Sequence, residues 1–224
     1  MNTTEYKIYI DDVIRRVEGA RLKVSPHHIV KVIAISKYST SDEIEKLYNI
    51  GQRAFGENKV QDLKEKAKEL EELPIEWHFV GNLQKNKINN LLDIHPALFH
   101  ALDSLDLALE LQKKLQTRDM TLDALLQINS AKEESKHGVM PEFACETYTQ
   151  IKKECPNINL KGVMSIGAHT QNREIIKKSF DTTYEIFKQC EGATICSMGM
   201  SGDFELAIEC GSNMVRLGSI MFNK

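Results

Sequence analysis

Short runs of β-branched and other apolar residues alternate with longer amphipathic segments along this chain. The first run, IVKVIAISK at residues 29–37, contains five Val or Ile residues and ends on Lys37. This composition favours a short buried strand, and the polar SPHH segment at 25–28 sets its start. Similar strand patterns recur further along the chain, at residues 53–56, 75–80, 97–102, 122–129, 160–165, 193–197 and 213–216.

Helical patterns occupy the intervals between these strands. A capping sequence at residues 39–42 precedes a helix that ends at Gly51. Further helices are predicted at residues 59–72, 83–92, 104–116, 141–154, 173–189 and 203–209. Eight strands separated by helices predict a (β/α)₈ TIM barrel in which residues 1–224 form a single domain. An open doubly wound sheet is the alternative, although closure accommodates eight units in this length more economically.

A further helix precedes the first strand and extends to about Arg21. Its apolar stripe is predicted to consist of Ile8, Val13, Ile14 and Val17. Because this helix comes before the first strand, we expect it to cover the bottom of the fold.

Composition excludes several classes of protein. The 29 Lys and Arg residues nearly balance the 32 Asp and Glu residues and are interspersed with them, so neither nucleic acid nor an anionic membrane is an expected partner. No apolar run is long enough to span a membrane, and we expect a soluble, cytoplasmic protein. The five cysteines never form a CxxC motif, which favours free core thiols over disulfides or a metal site.

The barrel prediction places Lys37 at the C-terminal edge of the first strand, where ligands bind in such folds. A lysine at the mouth of an apolar barrel can form a Schiff base with an aldehyde. Taken alone, Lys37 is better explained as a solvated residue at a strand end, since lysines are seldom buried.

A phosphate site is expected after the last two strands of such a barrel. The segment SMGMSG at 197–202 supplies Gly199, Gly202 and the Ser201 hydroxyl, and the helix beginning near Asp203 is expected to point free N–H groups at this loop. The segment RLGS at 216–219 repeats the pattern after the eighth strand. Either loop alone is better explained as a structural glycine turn, but the two together favour a phosphate.

A lysine after strand one and a phosphate site after strands seven and eight suit pyridoxal 5′-phosphate. In this layout the chain resembles the YggS/PROSC family of pyridoxal-phosphate-binding proteins, also called PLP homeostasis proteins. The segments that carry the resemblance span nearly the whole chain: AISK at 34–37, FGENKVQ at 55–61, WHFVGNLQKNK at 77–87, SKHG at 135–138, SMGMS at 197–201 and VRLG at 215–218.

The resemblance implies an alanine racemase N-terminal-domain-like barrel that holds pyridoxal 5′-phosphate as a Schiff base on Lys37. It further implies that Ser201, Gly218 and Ser219 hold the phosphate and that Arg216 faces the pyridine nitrogen. An arginine there stays protonated, so it keeps the ring nitrogen unprotonated and weakens the electron sink that carbanion chemistry needs.

Asn58 and His78 each have two interpretations, and Tyr38 is a further candidate at the pocket's edge. Asn58 lies either at the cofactor's rim, as its motif indicates, or at the N-cap of the following helix. His78 is better explained as a core histidine than as a cofactor contact, and its neighbour Trp77 as packing. Tyr38 follows Lys37 where the family usually has Thr, and its phenol is a candidate acid or base.

The resemblance implies a monomer that buffers or delivers the cofactor in vitamin B6 homeostasis, with PLP-dependent apoenzymes as candidate partners and without robust catalysis. No catalytic residue and no metal ligand is assigned. One alternative is an amino-acid racemase of the alanine racemase type, and such enzymes take a second base, a tyrosine, from an added β-domain across a dimer interface. We expect this chain to consist of the barrel alone. Another alternative is a Schiff-base aldolase for a sugar phosphate, which the family segments disfavour.

Overall fold

The computed structural model describes residues 3–133 and 136–222. Ser135, part of one family-like segment, lies outside the described residues. Within these ranges eight parallel strands pair in sequence order, and the eighth pairs with the first to close a barrel. The strands are β1 (Lys31–Ile35), β2 (Ala54–Glu57), β3 (Glu76–Phe79), β4 (Leu98–Leu102), β5 (Leu122–Ile128), β6 (Ile158–Ser165), β7 (Ile195–Ser197) and β8 (Met214–Leu217). The predicted TIM barrel is confirmed, and the open sheet is excluded.

Helices surround the barrel, and short 3₁₀ turns precede two of them, at Lys85–Lys87 and Pro141–Phe143. The helix predicted at 83–92 is therefore shorter than expected. In the described ranges the helices are α1 (Thr3–Val24), α2 (Ser41–Asn49), α3 (Val60–Glu69), α4 (Ile88–Leu92), α5 (Leu105–Thr117), α6 (Ala144–Glu154), α7 (Arg173–Gln189), α8 (Phe204–Glu209) and α9 (Ser219–Phe222).

Local capping explains where α2 and α5 begin. The Thr40 hydroxyl accepts a hydrogen bond from Glu43 N–H, and the Glu43 carboxylate accepts one from Thr40 N–H. This reciprocal capping box satisfies two N–H groups that the first turn of a helix leaves unpaired. At the start of α5 the Ser104 hydroxyl accepts a hydrogen bond from Leu107 N–H, which caps this helix from one side only.

The predicted apolar stripe of α1 is partly wrong. Ile8 is 68% exposed and Ile14 is 39% exposed. The buried face instead repeats every three or four residues, as one side of a helix must, and consists of Tyr6, Ile10, Val13, Val17 and Ala20.

The helix α1 also lies elsewhere than expected. It packs along α8 and contacts α2 and α9, so its place is in the outer ring of helices and not beneath the barrel. Arg16 of α1 makes two hydrogen bonds to the Glu205 carboxylate of α8, and its guanidinium stacks over the Phe204 ring.

The cysteines agree largely with their prediction. All five are free, and all are buried except Cys145, which is partly exposed. Among the described residues, no helix combines the length and the apolar character needed to cross a membrane.

A bulge in β6 was not predicted from the sequence. Between Ala124 and Leu125 of β5 the pairing partner advances from Leu160 to Gly162, which leaves Lys161 as the extra residue. Gly162 has φ +151°, and a Cβ there would lie 1.9 Å from the carbonyl oxygen of Ile195 on β7. Only glycine lets β7 approach β6 at this point.

We predict that Gly162→Ala lowers the free energy of unfolding by at least about 2 kcal/mol, because the methyl group collides with backbone. Gly19→Ala is the matched control, since a Cβ at Gly19 in α1 would have no atom within 4 Å. It should raise stability by roughly 0.5–1 kcal/mol. Urea denaturation measures both, and a Gly162→Ala protein as stable as wild type would contradict the close approach.

Candidate functional site

A cavity of about 470 Å³ opens at the C-terminal ends of the strands. This volume is typical of pockets for small molecules and cofactors. All six residues that the sequence assigned to a cofactor line it: Lys37, Asn58, Ser201, Arg216, Gly218 and Ser219. The other lining residues are Ile35, Tyr38, Ser39, Val80, Met164, Ile166, Met200, Gly202 and Phe222. The six are thus brought together, while their contact with a cofactor stays a prediction.

Lys37 extends from a turn that its neighbour Ser36 anchors. Ser36 N–H donates to Gly56 O (2.9 Å), and Ser36 O accepts from Ser39 N–H (2.8 Å). The Lys37 side chain is exposed at the cavity mouth, with its Nζ 4.9 Å from the centre of the Tyr38 ring. Tyr38 is itself 79% exposed. The backbone below the lysine is therefore fixed, and the amine is accessible.

A buried ion pair reinforces this anchor from behind the barrel wall. Lys66 of α3 donates to the Glu57 carboxylate (2.7 Å) and to Ser36 O (2.8 Å), and the Ser36 hydroxyl donates to the same Glu57 oxygen (2.6 Å). The Glu57 side chain is 0% exposed. Its other oxygen, Oε2, has no hydrogen-bond partner among the described residues. Lys66 and Glu57 thus hold the residue immediately before Lys37.

The loops after β7 and β8 meet through one hydroxyl. Ser201 Oγ accepts a hydrogen bond from Gly218 N–H (3.1 Å). A Cβ on Gly202 would have no atom within 4 Å, and one on Gly218 would come no closer than 3.6 Å to Ile35. Gly202 therefore leaves open space in the cavity that Ser201 and Ser219 also line.

The sequence predicts that free N–H groups at the N-terminus of α8 point toward a phosphate in the loop after β7. This prediction is wrong for the first two N–H groups. Asp203 N–H and Phe204 N–H both donate to Met200 O, at 3.1 and 2.9 Å. The Asp203 carboxylate in turn accepts from Met200 N–H (2.6 Å), and burial raises its pKa. The loop therefore uses these groups to stabilise its own turn. Position 199 in this turn requires glycine, because its φ is +94° and a Cβ there would lie 2.9 Å from Phe204 Cα.

Arg216 is a buried cation held by neutral oxygens. It is 5% exposed; Nη1 donates to the carbonyl (2.9 Å) and hydroxyl (2.6 Å) of Ser197, and Nη2 donates to Ser165 O (2.8 Å). Burial lowers its pKa to about 10, against the attraction of Asp203. Among the described residues no carboxylate lies within ion-pair distance of it. Arg216 can therefore donate to an acceptor in the cavity it lines.

Two histidines lie inside the barrel near Arg216. His78 on β3 and His100 on β4 are 1% and 0% exposed, with His78 Nδ1 and His100 Nε2 2.8 Å apart. Burial lowers the pKa of both, and that of His100 far below its ordinary value. The prediction of a core histidine at 78 is confirmed. Trp77 is buried against Phe55, which confirms that it packs.

Asn58 is not a helix cap. The N-cap of α3 is Lys59, which makes no capping hydrogen bond with its side chain, while Asn58 lines the cavity. A Cβ at Gly81 would lie 1.9 Å from Asn58 O, so the loop after β2 packs directly on the loop after β3. This contact sets the position of Asn58 at the cavity rim.

Sequence reasoning missed the apolar walls of the cavity and the ion pair behind it. Strand alternation could have identified Ile35, which shares a side with Lys37 two residues later. No spacing rule connects Glu57 on a strand with Lys66 on a helix, because their contact depends on how the helix packs.

Comparison with known proteins agrees with this geometry. Residues 15–224 match the family model described as "Alanine racemase, N-terminal domain". A protein of Helicobacter pylori strain J99, named "Pyridoxal phosphate homeostasis protein", is 54% identical over 98% of this chain and 99% of its own length. The chain belongs to the pyridoxal phosphate homeostasis protein family.

Solved structures are similar over nearly the full chain. The crystal structure of a protein from Bifidobacterium adolescentis superposes with a TM-score of 0.90 at 28% identity, covering 98% of this chain and 95% of that one. PipY of Synechococcus elongatus PCC7942, solved with PLP bound, gives a TM-score of 0.78 at 29% identity, covering 93% of this chain and 98% of PipY.

In this member of the pyridoxal phosphate homeostasis protein family, we predict that Lys66→Met lowers the free energy of unfolding by about 3 kcal/mol, because it leaves the Glu57 carboxylate buried without a cation. Lys68→Met, on an exposed position of the same helix, is the control and should change stability by less than about 0.5 kcal/mol. Equal effects of the two changes on the free energy of unfolding in urea would contradict the prediction that Lys66 compensates the buried Glu57 charge.

We also predict that stability falls below about pH 6.5, where histidines of the unfolded chain gain protons. His78 and His100 resist protonation in the folded protein because their pKa values are lowered. Above that pH they are neutral in both states and contribute no pH dependence. Below it each can remove up to about 1.4 kcal/mol per pH unit.

Urea denaturation between pH 5.5 and 8 measures this slope. His100→Gln should make the slope shallower, whereas His27→Gln, at an exposed turn, should leave it unchanged. Identical slopes in wild type and His100→Gln would contradict the prediction.

Proposed function

We propose that this protein binds pyridoxal 5′-phosphate in the cavity at the barrel mouth and buffers or delivers it as part of vitamin B6 homeostasis. In this proposal Lys37 holds the cofactor as a Schiff base. One observation carries the proposal: six residues assigned from separate parts of the sequence line a single cavity. The family name of the relatives and the PLP-bound structure of PipY support it.

The cavity residues fit the chemical groups of this cofactor. Bound there, pyridoxal phosphate supplies an aldehyde that reacts with amines, and Lys37 offers an accessible amine. The hydroxyls of Ser201 and Ser219 offer donors for a phosphate. Arg216 offers a donor for the ring nitrogen from a fixed, buried position. The aromatic ring would lie among apolar side chains, including Ile35, Val80, Met164 and Ile166.

We propose a carrier without robust catalysis. Among the described residues that line the cavity, the titratable side chains are Lys37, Tyr38 and Arg216. Arg216 is hydrogen-bonded to carbonyls and a hydroxyl, and Tyr38 lies mainly in solvent. A permanently charged donor at the ring nitrogen also weakens the cofactor as an electron sink.

The carrier proposal extends to the oligomeric state, the location and the partners of the protein. We propose that the protein is a monomer in the cytoplasm and that it gives the cofactor to PLP-dependent apoenzymes. Five free cysteines, four of them buried, suit a reducing compartment. An exposed Lys37 suits exchange of the cofactor with other amines.

The first experiment records the visible absorption spectrum after incubation with pyridoxal phosphate and gel filtration, with and without borohydride. Wild type should show a visible band that borohydride abolishes while fixing the cofactor to the protein. Lys37→Ala should lack both, and Lys59→Ala, which alters an exposed lysine outside this cavity, should retain both. A colourless wild type, or a Lys37→Ala protein that still traps the cofactor, would overturn the proposal.

A second experiment tests the carrier role. Loaded wild type should restore activity to a PLP-dependent apoenzyme, and pure protein should not racemise an L-amino acid. Steady racemisation that is lost in Tyr38→Phe would favour the racemase alternative instead.

A further inference from the structure

A continuous chain of polar side chains runs through the barrel interior from Arg216 to the opposite face. Arg216 Nη1 donates to Ser197 Oγ (2.6 Å), and Ser197 Oγ lies 3.5 Å from His100 Nδ1. His100 Nε2 lies 2.8 Å from His78 Nδ1, and His78 Nε2 lies 2.9 Å from Glu76 Oε1. We call Glu76, His78, His100 and Ser197 the histidine chain.

Burial lowers the pKa of His78 and His100, so both rings are neutral, and with neutral rings the two ends of the histidine chain fix the direction of every hydrogen bond within it. Arg216 can only donate, and Glu76 only accepts when ionised; the hydrogen bond from His78 lowers the pKa of Glu76 to about 2. His78 therefore carries its proton on Nε2 and accepts at Nδ1. His100 must then donate from Nε2 and accept at Nδ1 from the Ser197 hydroxyl. All donors point from the arginine toward the carboxylate, with both imidazoles neutral.

The surroundings of the histidine chain agree with this assignment. Burial is the main cause that lowers the pKa of both rings. Lys31 adds to this effect at both histidines and Arg216 adds to it at His100, whereas the Glu76 carboxylate favours protonation of His78. Lys31 pairs with Glu76 at the N-terminal end of the barrel, where their side chains are 42% and 36% exposed. The histidine chain thus joins Arg216, a buried cation beside the cavity, to the Glu76 carboxylate, which reaches solvent at the other end of the barrel.

Filling the barrel interior does not require buried polar side chains such as those of the histidine chain. Buried polar groups cost free energy unless every partner is present, and apolar side chains fill most barrel interiors. Here all four ring nitrogens have a polar neighbour. The aligned dipoles and the terminal carboxylate lower the cost of a buried arginine that lacks a direct counter-ion.

We propose that the histidine chain is a positioning element that keeps Arg216 charged and oriented toward the ring nitrogen of the bound cofactor. This inference rests on the proposed function. Because the Ser197 proton is directed to His100, its oxygen presents a lone pair to Arg216, and the remaining guanidinium N–H groups are left for the cavity. Glu76, at the opposite end of the barrel, thereby affects how tightly the cofactor binds.

Histidine ¹⁵N NMR of the cofactor-free protein tests the chain directly. His78 and His100, assigned through His78→Gln and His100→Gln, should both show the neutral tautomer with the proton on Nε2 at pH 7. Their Nε2 protons should exchange slowly with water, unlike that of His27. A proton on Nδ1 of either ring, or a charged imidazole, would overturn the inference whether or not the protein binds pyridoxal phosphate.

Measurements of cofactor binding test whether the histidine chain affects the affinity of the cavity for pyridoxal phosphate. Glu76→Ala, which removes the acceptor for His78, and His100→Gln should raise the dissociation constant for pyridoxal phosphate roughly tenfold, the size of effect that loss of an outer-shell partner has at metal sites, and should shift the absorption maximum of the bound cofactor. Glu76 is partly exposed, so its variant tests the chain even if His100→Gln is too unstable to study. His27→Gln should match wild type.

The outcomes separate this inference from the proposed function. If wild type binds the cofactor and both variants keep its affinity and spectrum, the positioning role is wrong and the proposed function stands. If wild type does not bind it, the proposed function fails and the positioning role fails with it.

Discussion

The pairing of β8 with β1 brings together the two ends of the chain that carry the chemistry. In that pairing Ile33 lies opposite Arg216 and Ala34 opposite Leu217, so the turn with Lys37 lies beside the loop with Gly218 and Ser219. Nearly 180 residues separate Lys37 from Arg216 in sequence, and closure of the barrel makes them neighbours across one cavity. An open sheet would leave the same residues on opposite edges with no shared pocket.

Polar groups support the cavity from two sides. Outside the barrel wall, Glu57 and Lys66 hold Ser36 and with it the turn that carries Lys37. Inside, the histidine chain holds Arg216. Both arrangements bury polar or charged atoms, which is costly unless the geometry is good. Fixed supports of this kind let the Lys37 side chain remain accessible while its backbone stays in place.

The barrel and most of the cavity residues could be predicted from the sequence, because the informative residues lie at the ends of the strands. Short runs of β-branched and other apolar residues located all eight strands, and the glycine and serine residues after β7 and β8 indicated an anion site. The errors have physical causes. Ile8 and Ile14 were assigned to the core for their side chains, although Tyr6 and Ala20 have the helical spacing that the buried face follows. The bulge at Gly162 and the meeting of His78 with His100 depend on strand register, which a single strand's pattern does not contain.

The measurement that tests the central claim most directly is a crystal structure of this protein with pyridoxal phosphate. The account predicts continuous density between Lys37 Nζ and the cofactor, the phosphate between the loops after β7 and β8, and Arg216 beside the ring nitrogen. A cofactor attached to another lysine, or lying in the cavity with its phosphate away from Ser201 and Gly218, would contradict it.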